Sequence, residues 1–270
     1  MIYSPIQLLS GSLLFTVIIS KLLGQKYAID HPDIRKQHMG AIPQIGGLIF
    51  GLLLLFIAWR SGLAPQWYIM GGGVSILLGT VDDNRHVPWQ IKLIVQLALA
   101  AYLSMLFWGR LEAITFYNLS FSVSQIGLFF IFLFWFIGIY NAVNLLDGLD
   151  GLAGGFMFIL CIGLGLSSFG PFVTLNLIFA EIILGFLVFN QRPAKLFMGD
   201  AGSLFIGFHI AVLPLLFLES TPAITSIKMT PFVLLGSYLV ADTTRVFFTR
   251  VASKKSPMTA DTIHFHHLIL

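Results

Sequence analysis

Adjacent and regularly spaced carboxylates are the chemistry-bearing groups of this 270-residue chain. Asp82 and Asp83 stand side by side at the end of an apolar run, in Val81-Asp82-Asp83-Asn84. Two neighbouring carboxylates at such a boundary repel each other and call for a cation. Carboxylates combined with water and phosphate oxygens suit Mg²⁺, with Mn²⁺ as a substitute. A second stretch, Asn141-Ala-Val-Asn144-Leu-Leu-Asp147-Gly-Leu-Asp150-Gly151, repeats a polar residue at every third position. Residues three apart share a helix face, and glycines let the backbone leave the helix or approach a ligand closely. A third, Phe197-Met-Gly199-Asp200-Ala-Gly202-Ser203, opens another apolar run. Free N–H groups at a helix start can cradle phosphate while the acid holds a cation; a plain helix cap is the other reading of Asp200.

Basic and imidazole groups supply the complementary charge. His264-Phe-His266-His267 follows Lys254, Lys255 and Asp261. Three histidines could bind Zn²⁺, but the companion loops offer carboxylates and no cysteine, which favours a hard cation and a diphosphate. Lys36 and His38 lie in a cluster beginning at Asp30, suited to lipid headgroups or to fixing topology. His209, lone in an apolar run, reads as a packed or hydrogen-bonded helix residue, and Gly71-Gly72-Gly73 as a close helix contact. The single cysteine, Cys161, excludes an intramolecular disulfide.

The elements that must position these groups are membrane helices. Of the residues, 57% are hydrophobic and 10% charged, against about 25% charged in a soluble domain. Apolar runs predict nine spans near 5–23, 45–59, 66–81, 91–108, 123–141, 152–169, 172–189, 203–218 and 229–248, an all-α polytopic bundle. The first run has neither a basic leader nor a small-residue cleavage site and reads as a retained helix. Alternate connections hold 12 of the 15 basic residues, leaving Arg60, Arg110 and Lys228 on the other side. The positive-inside rule then puts the N-terminus outside and the C-terminus in the cytoplasm. All nine aspartates and six of the seven histidines fall in the same cytoplasmic set. That rule says nothing about aspartate, so their gathering on one face points to a site for a polyanionic substrate, where catalysis is largely positioning and charge stabilisation.

Together these motifs resemble the polyprenyl-phosphate N-acetylhexosamine-1-phosphate transferase family, nearest its bacterial UDP-GlcNAc:undecaprenyl-phosphate branch, from about residue 30 onward. The resemblance implies a Mg²⁺-dependent enzyme of the bacterial inner membrane with its site on the cytoplasmic face. Its partners would be a UDP-N-acetylhexosamine, undecaprenyl phosphate and membrane lipid, with no nucleic acid; a homodimer is compatible. The reaction would release UMP and initiate a cell-envelope polysaccharide. Asp82 and Asp83 would work near Mg²⁺ and the lipid phosphate, Asp82 deprotonating or orienting it; an aspartyl-phosphate intermediate is the competing mechanism. Asn141, Asn144, Asp147 and Asp150 would line the nucleotide and metal site, the two aspartates with catalytic roles. Asp200 would hold the metal with Asp147, Phe197 would stack on uracil, and Asn190 would contact base or ribose. His264, His266 and His267 would meet the diphosphate, and Lys36 and His38 the phosphates.

Two departures from the family pattern stand out. Thr262 replaces an arginine, a bidentate phosphate donor, and the sequence stops three residues after His267, where family members continue into further helices. The expectation is one transferase domain over 1–270, short at its C-terminus. The alternatives are the peptidoglycan branch, which uses a UDP-MurNAc-pentapeptide and usually reads H-H-H in its histidine motif, and an inactive or non-enzymatic membrane protein. A CDP-alcohol phosphotransferase lacks its signature here, since Asp147-Gly is followed by Leu-Asp-Gly. A transporter would place its polar groups near the bilayer midplane.

Overall fold

The computed structural model describes residues 29–30, 41–166, 172–221 and 223–234, with positions 236, 237, 239, 241 and 245. Among these, seven helices occupy seven of the nine expected positions. They are α1 (Gly46–Ser61), α2 (Gln66–Arg85), α3 (Trp89–Leu106), α4 (Gln125–Leu146), α5 (Leu152–Leu166), α6 (Phe172–Asn190) and α7 (Gly199–Ser220). Residues 230–234 are also helical. The first expected span and much of the ninth lie outside the described residues. Helices α3, α4, α6 and α7 are long and apolar enough to cross a membrane, and α1 and α5 are shorter apolar helices.

The all-α expectation needs one correction. Strands β1 (Ile29–Asp30) and β2 (Ile42–Pro43) form a short antiparallel pair. Strands β3 (Ala113–Phe116), β4 (Leu119–Ser122) and β5 (Ser226–Lys228) form a small sheet in the order β4-β3-β5. The β3–β4 hairpin matches Ala113 with Ser122 and Phe116 with Leu119, and β5 runs parallel to β3. The segment alternates β-branched, aromatic and polar residues, the period of a strand rather than a helix.

Helix α7 is the centre of the molecule. It is apolar on every side, which suits either lipid or protein surroundings, and here each residue from Ala201 to Leu216 is buried in protein. It packs on α1, α2 and α4, and α5 packs on α6. Phe50, Phe179, Phe186 and Phe205 interlock in its surroundings, Phe50 lying 5.3 Å from Phe186 edge to face. A Cβ on Gly71 would come within 2.6 Å of Phe208, so this glycine sets the spacing of α2 from α7, whereas Gly73 faces open space. One polar chain crosses the core. The Tyr68 hydroxyl meets His209 Nδ1 at 2.6 Å, His209 Nε2 meets Asn176 Oδ1 at 3.1 Å, and the Cys161 thiol donates to the same oxygen at 3.7 Å. His209 is thus a fully buried, hydrogen-bonded helix residue, joining α2, α5, α6 and α7.

Candidate active site

The ends of α2, α4 and α7 bring the acids together. Asp82, in the last turn of α2, is 4% exposed. Its Oδ1 accepts from the Val87 N–H at 2.7 Å and its Oδ2 from Lys92 Nζ at 2.6 Å. Pro88 starts α3 and Lys92 sits in its first turn, so this ion pair closes the α2–α3 corner. Burial pushes the Asp82 carboxyl up, but hydrogen bonds with Asp200, Lys92 and Val87 outweigh it and hold the group below the usual range.

Asp83, one residue on, points at a different helix. Its Oδ1 accepts from the Asp200 N–H at 2.7 Å and its Oδ2 from the Ala201 N–H at 3.1 Å. Met198 gives α7 no side-chain cap of its own. Asp83 supplies the cap from α2, a negative charge at the positive end of the helix dipole. Burial raises its carboxyl to about 6, against the pull of the two N–H groups, and the Asp82 charge adds to the rise. Gly199 makes the contact sterically feasible: its φ is +68°, and a Cβ there would lie 2.7 Å from Asp83 Oδ2 and from the Gln44 carbonyl. No other residue fits that backbone without strain.

Asp200, in the first turn of α7, hydrogen-bonds the Asp82 carboxyl. Two carboxylates share such a contact only when a proton or cation offsets their charges. Asp147 lies at the C-cap of α4. Burial raises it to about 7, with the charges of Asp83 and Asp150 adding. Asp82, Asp83, Asp147 and Asp200 therefore form one electrostatically linked cluster.

The remaining expected site residues are engaged in holding the frame. Asp150 accepts from the Ala194 N–H at 3.1 Å. Asn144 accepts from the Ser203 hydroxyl at 2.7 Å, tying α4 to α7. Asn141 exchanges two hydrogen bonds with Gln96 of α3, at 2.7 and 3.2 Å. It also donates to the Ile137 carbonyl at 2.8 Å, and α4 runs on to Leu146, beyond the expected end at 141. Asn190, buried at the end of α6, accepts from the Gly151 N–H at 3.0 Å and donates to the Leu196 carbonyl at 2.9 Å. Its carboxamide joins the two loops instead of facing free space. Half-buried Phe197 is fixed by its backbone, donating to the Pro43 carbonyl at 2.8 Å and accepting from the Gly46 N–H at 2.9 Å. Lys36, His38, Thr262, His264, His266 and His267 lie outside the described residues.

The donor set suits a hard cation. Among the described residues, no three acidic, histidine or cysteine side chains close into a ready-made metal cage. Mg²⁺ does not need one: it is usually held by one or two carboxylates, completed by water and substrate phosphates. An oxygen-rich cluster in which burial, with neighbouring charge adding, raises the Asp83 and Asp147 carboxyls fits that pattern.

Lys92 and Gln96 were not among the expected site residues. Lys92 reads in sequence as one more positive topology signal. Gln96, one turn later, is a polar residue inside an apolar helix, and that cost was the available signal. Ser203 stood inside the Gly-Asp motif without an assigned role.

The description Glycosyl transferase family 4 matches residues 66–218, a stretch that holds all five site aspartates, Asn141, Asn144, Asn190 and Phe197. The chain belongs to this family. Relatives within it extend the match over nearly the whole chain. A probable undecaprenyl-phosphate N-acetylglucosaminyl 1-phosphate transferase of Bacillus subtilis (strain 168) is 32% identical over 275 residues, covering 96% of this chain and 74% of the relative. An undecaprenyl-phosphate alpha-N-acetylglucosaminyl 1-phosphate transferase of Thermotoga maritima is 29% identical, covering 95% and 78%. A phospho-N-acetylmuramoyl-pentapeptide-transferase of Streptococcus thermophilus is 33% identical, but over only 72% of this chain and 64% of its own length. Family 4 membership and these relatives agree with the family expected from the motifs.

Proposed function

We propose that this chain transfers an N-acetylhexosamine-1-phosphate from a UDP-sugar to undecaprenyl phosphate, releasing UMP. The observation that carries this reading is the convergence of Asp82, Asp83, Asp147 and Asp200 from three helix ends. It occurs in a chain whose extended matches are named undecaprenyl-phosphate N-acetylglucosaminyl 1-phosphate transferases. A lipid phosphate oxygen attacks the sugar-bearing phosphorus, the bond to the UMP oxygen breaks, and UMP departs. Asp82, held in one orientation by Val87 and Lys92, takes up or orients the acceptor's proton. Asp83 aims the first turn of α7, and so Asp200, at the same point. Asp200 and Asp147 are the residues to hold Mg²⁺, with Mn²⁺ as a substitute, and the bound ion would offset charge on the diphosphate oxygens. Both oxygens of Asp83 are committed to α7 and both oxygens of Asp82 to Val87 and Lys92, so direct displacement and an aspartyl-phosphate intermediate stay competing mechanisms.

Phe197 is proposed to stack on uracil and His264, His266 and His267 to meet the diphosphate, with Lys36 and His38 near the acceptor phosphate. Nine spans, an outside N-terminus and a site on the cytoplasmic face of the bacterial inner membrane complete the reading, supported by the charge distribution of the loops. Purified protein in detergent, given undecaprenyl phosphate and Mg²⁺ with a panel of UDP-sugars that includes UDP-MurNAc-pentapeptide, tests it. The expected result is lipid-dependent UMP release that EDTA stops, with a UDP-N-acetylhexosamine as donor. No release from folded protein across the panel refutes it.

A further inference from the structure

The three-stranded sheet is apolar on one face and polar on the other, and only part of the apolar face is covered. Residues paired directly across a sheet point to the same side, and neighbours along a strand to opposite sides. The register pairs Ile114 with Phe121 and with Ile227, and Phe116 with Leu119. One face therefore carries Ile114, Phe116, Leu119, Phe121 and Ile227, all apolar. The other carries Ala113, Thr115, Ser120, Ser122, Ser226 and Lys228, and the Thr115 and Ser120 hydroxyls bond each other there at 2.9 Å. Ile227 is buried and Ile114 packs against the same core; both face Phe107 at the end of α3 and Leu218 at the end of α7. Phe116, Leu119 and Phe121 are 43%, 65% and 52% exposed. The apolar face thus begins on the bundle and runs off its side.

What covers the overhang follows from where the sheet sits. Helix α3 leads into β3, β4 into α4, and α7 into β5. All three helices are long and apolar enough to cross a membrane, and each has its other end at the acid cluster, marked by Lys92, Asp147 and Asp200. The sheet therefore stands at the far boundary of the layer they span. Ile114 and Ile227 face back toward the bundle, so the exposed part of the same face turns that way too, toward hydrocarbon, and the polar face turns to water. Charge agrees with this. No Lys, Arg, Asp or Glu occurs between Glu112 and Asp147, whereas an edge strand standing in water is commonly blunted by charge or Pro. Strand β4 is that edge, and all four of its residues are exposed. Its unpaired backbone groups would be costly in hydrocarbon, which sets the strand at headgroup depth with only the apolar side chains reaching down. Tyr117, exposed at the turn, is a residue type enriched at that depth.

We propose that the apolar face of this sheet is seated on phospholipid acyl chains at the bilayer boundary away from the acids, and so holds α3, α4 and α7 at a common depth. The assignment rests on the membrane-spanning reading of these helices and not on the transfer reaction. Spin labels on single cysteines test it, in the full chain reconstituted into phosphatidylethanolamine–phosphatidylglycerol vesicles; Cys161, the one native thiol, is buried. Leu119→Cys and Phe121→Cys sample the apolar face, and Ser120→Cys and Ser122→Cys the polar one. Phe134→Cys, exposed midway along α4, samples the layer itself. Each face has two positions, so one misfolded variant does not end the test. The measurement is the collision rate with oxygen, which concentrates in hydrocarbon, against that with a water-soluble nickel chelate. The expected oxygen-to-nickel ratio is several-fold higher at 119 and 121 than at 120 and 122, and highest at 134. Equal nickel access on both faces, with 134 shielded, overturns the seating and leaves the spans standing. Shielding of 119 and 121 from both reagents, with dipolar broadening between labels, overturns it in favour of a second copy on this face. Nickel access at 134 overturns the spans and the seating together. UMP release is read separately and stands or falls on its own.

Discussion

Asp83 and Asp200 are 117 residues apart in sequence and joined by a 2.7 Å hydrogen bond, and that contact divides the labour within the acid pair. Asp83 acts as a helix cap supplied from another helix. Asp83→Ala should therefore lower stability by about 1–2 kcal/mol, the cost of a lost cap, and Asp83→Asn, which keeps one acceptor oxygen, by less; thermal unfolding in detergent measures the difference. Asp200→Asn should leave that cap in place, because only the backbone N–H of residue 200 takes part. It should abolish UMP release, by ~10²–10³-fold or more, while the protein stays monodisperse. A variant that retains most of its activity would remove Asp200 from the metal site. The same residues set a pH dependence. Asp83 and Asp147 keep their protons up to about 6 and about 7 in the folded chain, against ~4 for an unfolded carboxyl. Between those limits the folded state binds more protons than the unfolded state, so stability falls as pH rises. Asp82 is shifted the other way and titrates below this window. In EDTA the melting temperature should drop from pH 5 to pH 7.5, and Mg²⁺ should reduce the drop.

At the scale of elements, side-chain amides take the place that charges occupy at the site. The Gln96–Asn141 pair locks α3 to α4, Ser203–Asn144 locks α4 to α7, and Asn190 locks the two loops that carry Asp150 and Phe197. An amide pair that satisfies both members couples more strongly than either single deletion suggests. A double-mutant cycle with Gln96→Leu and Asn141→Leu should show a coupling of about 0.5–3 kcal/mol in unfolding free energy, and additive losses would argue against the lock. The asparagines were visible in sequence as a three-residue repeat, and that spacing did place them on one helix face. Their partners were not visible, because Gln96 and Ser203 are distant in sequence and only packing pairs them. The hairpin was legible but overshadowed: Thr115-Phe-Tyr-Asn118-Leu-Ser-Phe121 alternates like a strand around a turn with an asparagine and a positive φ at Tyr117, yet it lies between apolar runs that dominate the reading.

For the whole molecule, seven helices fall where apolar runs and charge breaks predicted, because burying ~20 apolar residues leaves a backbone little choice but helix. Asp200 was legible as a candidate, weakly from its flanking glycines and more strongly from the family motif. The acid cluster was legible as a shared face but not as geometry: nothing local to residue 83 says that its carboxylate closes the start of α7. That contact also has a consequence in time. A ribosome adds ~5–20 residues per second, so Asp83 is made roughly 6–23 s before the backbone groups it will cap. Until then α2 ends in two adjacent acids with no partner from α7, and the early helices must be inserted and held while the central one is still unmade. The newborn chain thus lacks the assembled acid cluster for most of its synthesis, and the central helix brings it together on arrival.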